Sequence, residues 1–490
     1  MSAGAVSDAR PRPALWVLVF AGPALRTSLL GGLLVVEREI GESFSLGAGT
    51  LAILIESAIC GGLLAVFLVS PLIAFAGIRR VSLVAAGLAA VCLAVALIAA
   101  PLMTSGLRAT VILFVAAILL GFLVAVLSPI AQTLLNQATA ADSPSRHALQ
   151  SVWSAGQPVG FIVAALAGGI LVERFGWWTA LMVPLAFALV SALALLDGRI
   201  VHSHGREHPD NRPPLREIAW IVLALLAFEI WSTWGSLKSW VEPGVMAALM
   251  VTIVVSMLAI NSLRRSSCPC VPLTPFSIAG FAAAAFILFV YQFPTTAEFE
   301  VLVLGELKHM PASEIGTRTA IGNMGQVAGT AVAAVLLLQH RIRLALAAGF
   351  ALTIVGLAGY ALYFWWDSFA FTAMTRAIAG FGGGLLTPVL FVVALNKMPA
   401  PLQVAAGTWL VLAVIGGTEV GLAMFDIVLD LATALTGSAM RGYLSVEIAQ
   451  LVLATATAAF TVLLARRGSL PLTIGTVAAA PPAAARIRET

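Results

Sequence analysis

Apolar residues in this chain fall in blocks of about twenty, separated by short clusters that hold most of the charges and turn formers. Inside the blocks there is neither the alternation of a half-buried strand nor the narrow stripe of a surface helix. A block of that length, wound as a helix, covers about 30 Å and crosses the hydrocarbon of a bilayer. A window of about 19 residues predicts roughly fourteen such spans. The first six are Ala14 to Val36, Thr50 to Pro71, Val81 to Leu102, Thr110 to Asn136, Leu149 to Val172 and Trp177 to Leu196. After a polar stretch (Asp197 to Glu217) come two shorter ones, Ile218 to Ser236 and Pro243 to Leu263. The last six are Pro275 to Thr296, Thr317 to Leu338, Leu344 to Phe364, Phe369 to Leu395, Leu402 to Leu429 and Val446 to Ala465. The expected fold is all-α and polytopic, in a six-two-six order: an N-terminal bundle in 1–200, a cytoplasmic linker with two extra helices in 201–265, a C-terminal bundle in 266–466, and a disordered cytoplasmic tail in 467–490.

Composition removes the soluble alternative. Of 490 residues 60% are hydrophobic and 10% charged, and the mean hydropathy is +1.01; soluble domains of this size do not look like this. The first apolar run follows Arg10 and Arg12, exceeds a signal-peptide core and has no clear cleavage site, so it is expected to stay as a span. Charge gives the orientation. With both termini inside, inner segments hold 18 of the 27 basic residues and 7 of the 23 acids, whereas outer loops hold 7 and 13. That is the bias of a plasma or bacterial-type inner membrane protein with cytoplasmic termini, and the positive balance calls for no nucleic acid.

One stretch occurs twice. From Gly380 the chain reads Gly-Phe, five residues, then Thr387-Pro388; from Gly121 it reads Gly-Phe, five residues, then Ser128-Pro129. Both copies lie in long apolar segments, which makes the chain two related halves around a central pathway. Four residues before each glycine the copies differ, with Arg376 in the second and Ala117 in the first.

Enzyme signatures are missing. The three lysines (Lys238, Lys308, Lys397) have no preceding phosphate-loop glycine pattern, and there is no HExxH or GxSxG. Cys268-Pro-Cys270 lacks further metal ligands nearby, and Cys60 and Cys92 are too scattered for a disulfide framework. His202, His204 and His208 lie in a Pro- and Arg-rich connector and read as solvated. Trp177, Trp178, Trp234, Trp240, Trp365 and Trp366 fall at expected outer span ends, as an interfacial belt.

The six-two-six layout and the segment from Leu119 through Trp178 resemble the fourteen-span drug/proton antiporter branch of the major facilitator superfamily, the EmrB/QacA type. The matching pieces are LLGFLVAVLSPIAQTLLNQ, Arg146, Gly160, Gly168-Gly169 and the ending Leu171-Val172-Glu173-Arg174-Phe175-Gly176-Trp177-Trp178. The resemblance implies a major facilitator fold, export of small molecules by alternating access driven by a proton gradient with no other cofactor, and in Gram-negative members a periplasmic adaptor and outer-membrane channel. It also implies gating loops, here Gly77, Arg79 and Arg80 after the second span and Arg341 and Arg343 in the matching loop of the second half. Departures are specific: Leu25 stands at the first-span aspartate, Ala74 at the loop acid, Ala117 at the fourth-span arginine, and Ala164-Ala165 at the fifth-span Gly-Pro pair.

Five charged residues fall within spans: Arg26, Glu56, Glu229, Arg376 and Glu419. Each costs about 2.5 to 3.5 kcal/mol at mid-bilayer if it faces lipid, so they are expected to face a pathway or one another. Arg26 and Glu56 lie in successive spans and are a possible pair; Glu229 reads as peripheral. Arg26, Glu56, Arg376 and Glu419 are the candidate substrate and proton residues, with Gln132, Asn136, Gln157, Asn323 and Gln326 as polar lining or interhelical hydrogen-bonding groups. The arginines favour an amphipathic or anionic organic substrate. A transport-inactive receptor or scaffold, or a lipid-handling protein, stays open as the alternative.

Overall fold

The computed structural model describes residues 11–46, 48–103, 106–139, 143–197, 214–266, 269–278, 280–293, 310–362, 368–396, 398–399, 402–470 and 472. The chain is helical throughout these residues. In order, the helices are α1 (Pro13–Val35), α2 (Glu37–Phe44), α3 (Ala48–Ala76), α4 (Ile78–Ala99), α5 (Leu107–Ala138), α6 (Pro144–Phe175) and α7 (Met182–Leu195). Then follow α8 (Leu215–Leu237), α9 (Pro243–Arg265), α10 (Phe281–Gln292), α11 (Ala312–Leu338), α12 (Ile342–Ala361), α13 (Phe369–Leu395), α14 (Gln403–Thr436) and α15 (Ala439–Arg466). Among the described residues thirteen are long and apolar enough to cross a membrane. The ninth expected span differs: its described helix, α10, has 12 residues, about 18 Å at 1.5 Å per residue. The short amphipathic α2 was not expected and lies between the first two crossings.

Boundaries follow local chemistry. Pro13, Pro144 and Pro243 open α1, α6 and α9 at first-turn positions, where a missing N–H costs nothing. Ser143 caps α6 by accepting from the Arg146 amide. Gly176, at φ +100°, ends α6 and turns the chain into a 3-10 segment, Trp177–Leu181, that leads into α7. Only glycine adopts that φ without strain, which accounts for the Gly in Phe-Gly-Trp-Trp.

The duplicated motif marks the closest crossings. A Cβ on Gly121 of α5 would overlap the Ala58 carbonyl of α3, and a Cβ on Gly380 of α13 would overlap the Gly322 carbonyl of α11. In each half the same glycine therefore lets two parallel helices touch backbone to backbone. Pro129 and Pro388 lie inside α5 and α13 eight residues further on. The pair α8 and α9 packs together and leans through α8 on α3 and α14.

Two expectations change. The tryptophans are not a uniform belt: Trp177 is buried edge-on against Phe44, and Trp240 is buried against Trp231 beneath Gly235. Trp234 is exposed. Helix ends that fold back over the bundle need large apolar covers, and tryptophan supplies them. His202, His204, His208, Cys268, Trp365, Trp366 and the chain beyond 472 lie outside the described residues.

Candidate functional site

A cavity of about 170 Å³ lies at the centre, and its wall combines both halves. From the first half come Arg26 and Thr27 of α1 and Gln157 of α6; from the second come Asn323 and Gln326 of α11, Arg376 of α13 and Glu419 of α14. Six of the nine expected pathway residues thus meet in one place. Arg26, Arg376 and Glu419 are 9%, 8% and 5% exposed, so the cavity brings two guanidiniums and one carboxylate out of bulk water.

Glycine packing places them. Gly156 and Gly160 of α6 abut the Phe20 and Ala24 carbonyls of α1, and at that crossing the Thr27 hydroxyl donates to the Gln157 carbonyl at 2.6 Å. Gly62 of α3 leaves room for Arg26: a Cβ there would lie 4.0 Å from Nε. In the second half Gly325 and Gly329 meet the Ala377 and Phe381 carbonyls, fixing the register of α11 on α13 and aiming Asn323, Gln326 and Arg376 inward. The Arg376 guanidinium lies 4.0 Å above the centre of the Tyr360 ring on α12, a contact that replaces some lost hydration of the cation. Tyr291 and Gln292 of α10, Thr319 of α11, Thr353 of α12, Thr387 of α13 and Thr418 of α14 complete the polar wall. Sequence reading named Thr387 only as part of the duplicated motif and missed the other five and Tyr360, because single polar residues in apolar helices look alike before packing is known.

The cavity is bounded by contacts between the halves at both ends. At the end where α1 begins, Arg146 of α6 donates to Asn136 Oδ1 at 2.9 Å and to Gln403 Oε1 of α14 at 3.2 Å. Gln132 donates to Gln150 at 2.9 Å, and Trp153 packs on Phe391 with centroids 5.0 Å apart. Gln132 and Asn136 therefore belong to this buried clamp and not to the cavity. At the opposite end Gly169 of α6 abuts Ala312 and Ser313 of α11, Gly316 abuts the Ala165 carbonyl, and the Ser313 amide donates to Glu173. Ala165 stands where the family's Gly-Pro pair is absent, and the glycine of the contact comes from the other helix.

Glu56 is not paired with Arg26. It turns to α8, where Ser232 and Thr233 donate to its two oxygens at 3.5 and 3.2 Å. Glu229, expected at the periphery, turns inward and accepts from the Cys60 thiol of α3. Ser236 donates to Asp426 of α14 at 2.7 Å. Three carboxylates thus gather where α3, α8 and α14 meet, beside the cavity. Asp426 was missed, although it follows Glu419 by seven positions and so shares a helical face with it.

Gly77, at φ +82°, turns α3 into α4; Arg79 and Arg80 follow, exposed, with no ion pair among the described residues. Arg341 and Arg343 are exposed at the start of α12. All five lie on the α1-start end, around the clamp and away from the cavity. No group of three or more His, Cys, Asp or Glu side chains among the described residues is arranged to hold a metal.

A family model described as Major Facilitator Superfamily matches residues 15–418. Among solved structures, the proton:xylose symporter XylE bound to 6-bromo-6-deoxy-D-glucose matches over 92% of this chain and 95% of its own, with 13% identity and a TM-score of 0.64. The human organic anion transporter MFSD10 (TETRAN) matches over 90% and 100%, with 16% identity and a TM-score of 0.59. XylE from E. coli in a partially occluded inward-open conformation matches over 92% and 97%, at 11% identity and 0.58. At these identities the likeness is one of fold.

Proposed function

We propose, from the premise that this chain belongs to the Major Facilitator Superfamily and so is a multi-pass secondary transporter and not an enzyme, that it carries an anionic or amphipathic small organic molecule coupled to protons. One observation carries the reading: the cavity wall holds Arg26 and Arg376 against a single carboxylate, Glu419. With all three ionised the cavity is one positive charge in excess, and a carboxylate or phosphate that bridges the arginines replaces the water they have lost. The 170 Å³ cavity is below the roughly 300 to 1,000 Å³ of ligand sites, so a substrate of drug size enters only as the halves part.

Glu419 is the coupling group in this reading. Ionised, it competes with the substrate for the arginines; protonated, it leaves them to the substrate. Proton and anion then bind together, which favours cotransport. A monoanion crossing with one proton moves no net charge, so the pH gradient and not the membrane potential drives that pair: each pH unit is worth about 1.4 kcal/mol, or a tenfold gradient. Export by exchange, as in the EmrB/QacA branch, is the second reading, and the carboxylates outside the cavity favour it: a proton taken up by Glu56 need not meet the substrate. In this reading the chain has fourteen crossings, with α10 as the described part of the ninth, in units 1–200, 201–265, 266–466 and 467–490. It lies in an inner or plasma membrane with both termini inside, and Gly77, Arg79, Arg80, Arg341 and Arg343 act at the cytoplasmic gate. An adaptor and outer-membrane channel belong to the exchange reading. MFSD10, similar in fold, is an organic anion transporter; for this chain it is Arg26 and Arg376 that favour an anion.

Proteoliposomes loaded with radiolabelled salicylate and given a pH gradient of either sign test the proposal. Accumulation toward the alkaline side beyond that of protein-free liposomes, which trap this weak acid passively, supports cotransport, and accumulation toward the acidic side supports exchange. Arg26→Gln and Arg376→Gln should each remove salicylate transport. Arginine variants that keep it, or a wild type that moves only tetraphenylphosphonium, would overturn the anion reading.

A further inference from the structure

A second and larger cavity, of about 1060 Å³, opens between α3, α8, α9, α10 and α14. Its wall is apolar, with Phe228 of α8, Phe286 and Phe289 of α10 and Trp409 of α14 among its larger side chains. Two charged residues line it. Arg264, exposed in the last turn of α9, sits at one end, level with Leu273 and Phe276; Glu419 is the residue shared with the central cavity. Along α14 the groove runs from Trp409 to Val420, about 16 Å at 1.5 Å per residue. Gly416 is part of its wall, where a Cβ would make ordinary contacts with Phe289 and Leu63 at 3.8 and 3.9 Å.

We infer that this groove binds a single-chain anionic amphipath taken laterally from the bilayer, with its carboxylate or phosphate against Arg264 and its acyl chain along α14 toward Glu419. Each element argues for one part of that molecule. An apolar trough about 16 Å long matches one extended chain of roughly a dozen carbons. A cation at the membrane-surface end selects a negative head, because a positive one would meet Arg264 there, with the groove's one carboxylate, Glu419, at the far end. The shared wall at Glu419 makes the groove an antechamber: an occupant whose head leaves Arg264 passes the coupling carboxylate before it meets Arg376 and Arg26. That last step rests on the transport reading; binding in the groove does not.

The test is photolabelling, read without any proton gradient, so that failed binding and failed transport are told apart. Full-length protein in phosphatidylcholine vesicles is irradiated with dodecanoate carrying a diazirine near its methyl end, and adducts are mapped by mass spectrometry. Adducts should concentrate on α8, α10 and α14 around Phe228, Phe286 and Val420, and unlabelled dodecanoate should displace them. Arg264→Ala should lower the yield about tenfold and Arg264→Lys should restore at least half of it; the lysine variant guards against a folding defect in the alanine one. Ala413→Trp, which fills the trough, should remove the adducts while labelling elsewhere persists. The inference is overturned if a diazirine-bearing dodecyltrimethylammonium or phosphatidylcholine labels the same residues equally well, or if the yield is indifferent to Arg264→Ala.

Discussion

Arg146 donates a hydrogen bond of 3.2 Å to the side chain of Gln403, and the two residues are 257 positions apart. Arg146 also holds Asn136 on its own side at 2.9 Å. A buried cation thus bridges the two halves next to the Trp153 and Phe391 rings, and the clamp at this end depends on it. Removing it leaves Asn136 and Gln403 buried with fewer partners, at about 1 to 3 kcal/mol. Arg146→Ala and Gln403→Ala should therefore shift the population toward separation of the halves at this end by about tenfold or more. Distances between spin labels on Arg80 and Arg343, each replaced by cysteine in a cysteine-free background, report it. An unchanged distance distribution in both variants would show that the clamp does not hold this end.

Gly121 and Gly380 admit no side chain. Adding one methyl drives it into the Ala58 or Gly322 carbonyl, and helices fixed on both sides relieve that only by moving apart, at a cost of roughly 1 to 3 kcal/mol. Gly121→Ala and Gly380→Ala should each lower the Tm of the purified protein by several degrees. Gly87→Ala is the control: nothing lies within 4 Å of its added Cβ, so the better helix former should leave stability equal or up to about 1 kcal/mol higher.

Glu419→Gln fixes the neutral form of the coupling carboxylate while keeping its size. Binding of the anion and its exchange between compartments should persist, because Arg26 and Arg376 remain. Uphill accumulation driven by a pH gradient should vanish. Salicylate counterflow measured beside gradient-driven uptake separates these. If accumulation survives, the coupling proton resides elsewhere, and Glu56→Gln becomes the deciding variant.

Cys270 lies outside the spans, buried against Ile221, Leu263 and Val271. Burial, and then the neighbouring Glu217 carboxylate, push its thiol up to about 12. The thiolate is the reactive form, so at pH 8 Cys270 is almost wholly protonated and inert. Iodoacetamide at pH 8 should modify it at least tenfold more slowly than in the unfolded chain, as read by peptide mass spectrometry. Reactivity should rise only as pH approaches 12, the value at which half the thiol is ionised.

What the sequence disclosed was whatever the bilayer penalises. Arg376 and Glu419 are costly in hydrocarbon wherever they sit, so their inward placement followed from energetics, and the structure puts both in one cavity with Arg26. The duplicated Gly121 and Gly380 were legible because spacing survives divergence. Their contact partners were not, since a glycine announces closeness without saying to what. Glu56 was given to Arg26 on adjacency in the chain, whereas packing turned it to Ser232 and Thr233 on a helix 176 and 177 positions away. Gln132 and Asn136 resemble Gln157 in every local respect, and only the crossing of α5, α6 and α14 sends them to a clamp. Hydropathy predicts a ninth crossing from Pro275 to Thr296, whereas the helix described there has 12 residues and is not among the thirteen long enough to span.

The glycines that bring α5 onto α3 and α13 onto α11 also decide where this protein is stiff. Main chains in direct contact have no layer of side chains to slide on, so each half behaves mechanically as a welded piece. At the α1-start end the seam between the halves is held by a few hydrogen bonds and one stack of rings, and deformation under load concentrates there; at the opposite end Gly169 and Gly316 bring α6 and α11 into main-chain contact across the halves.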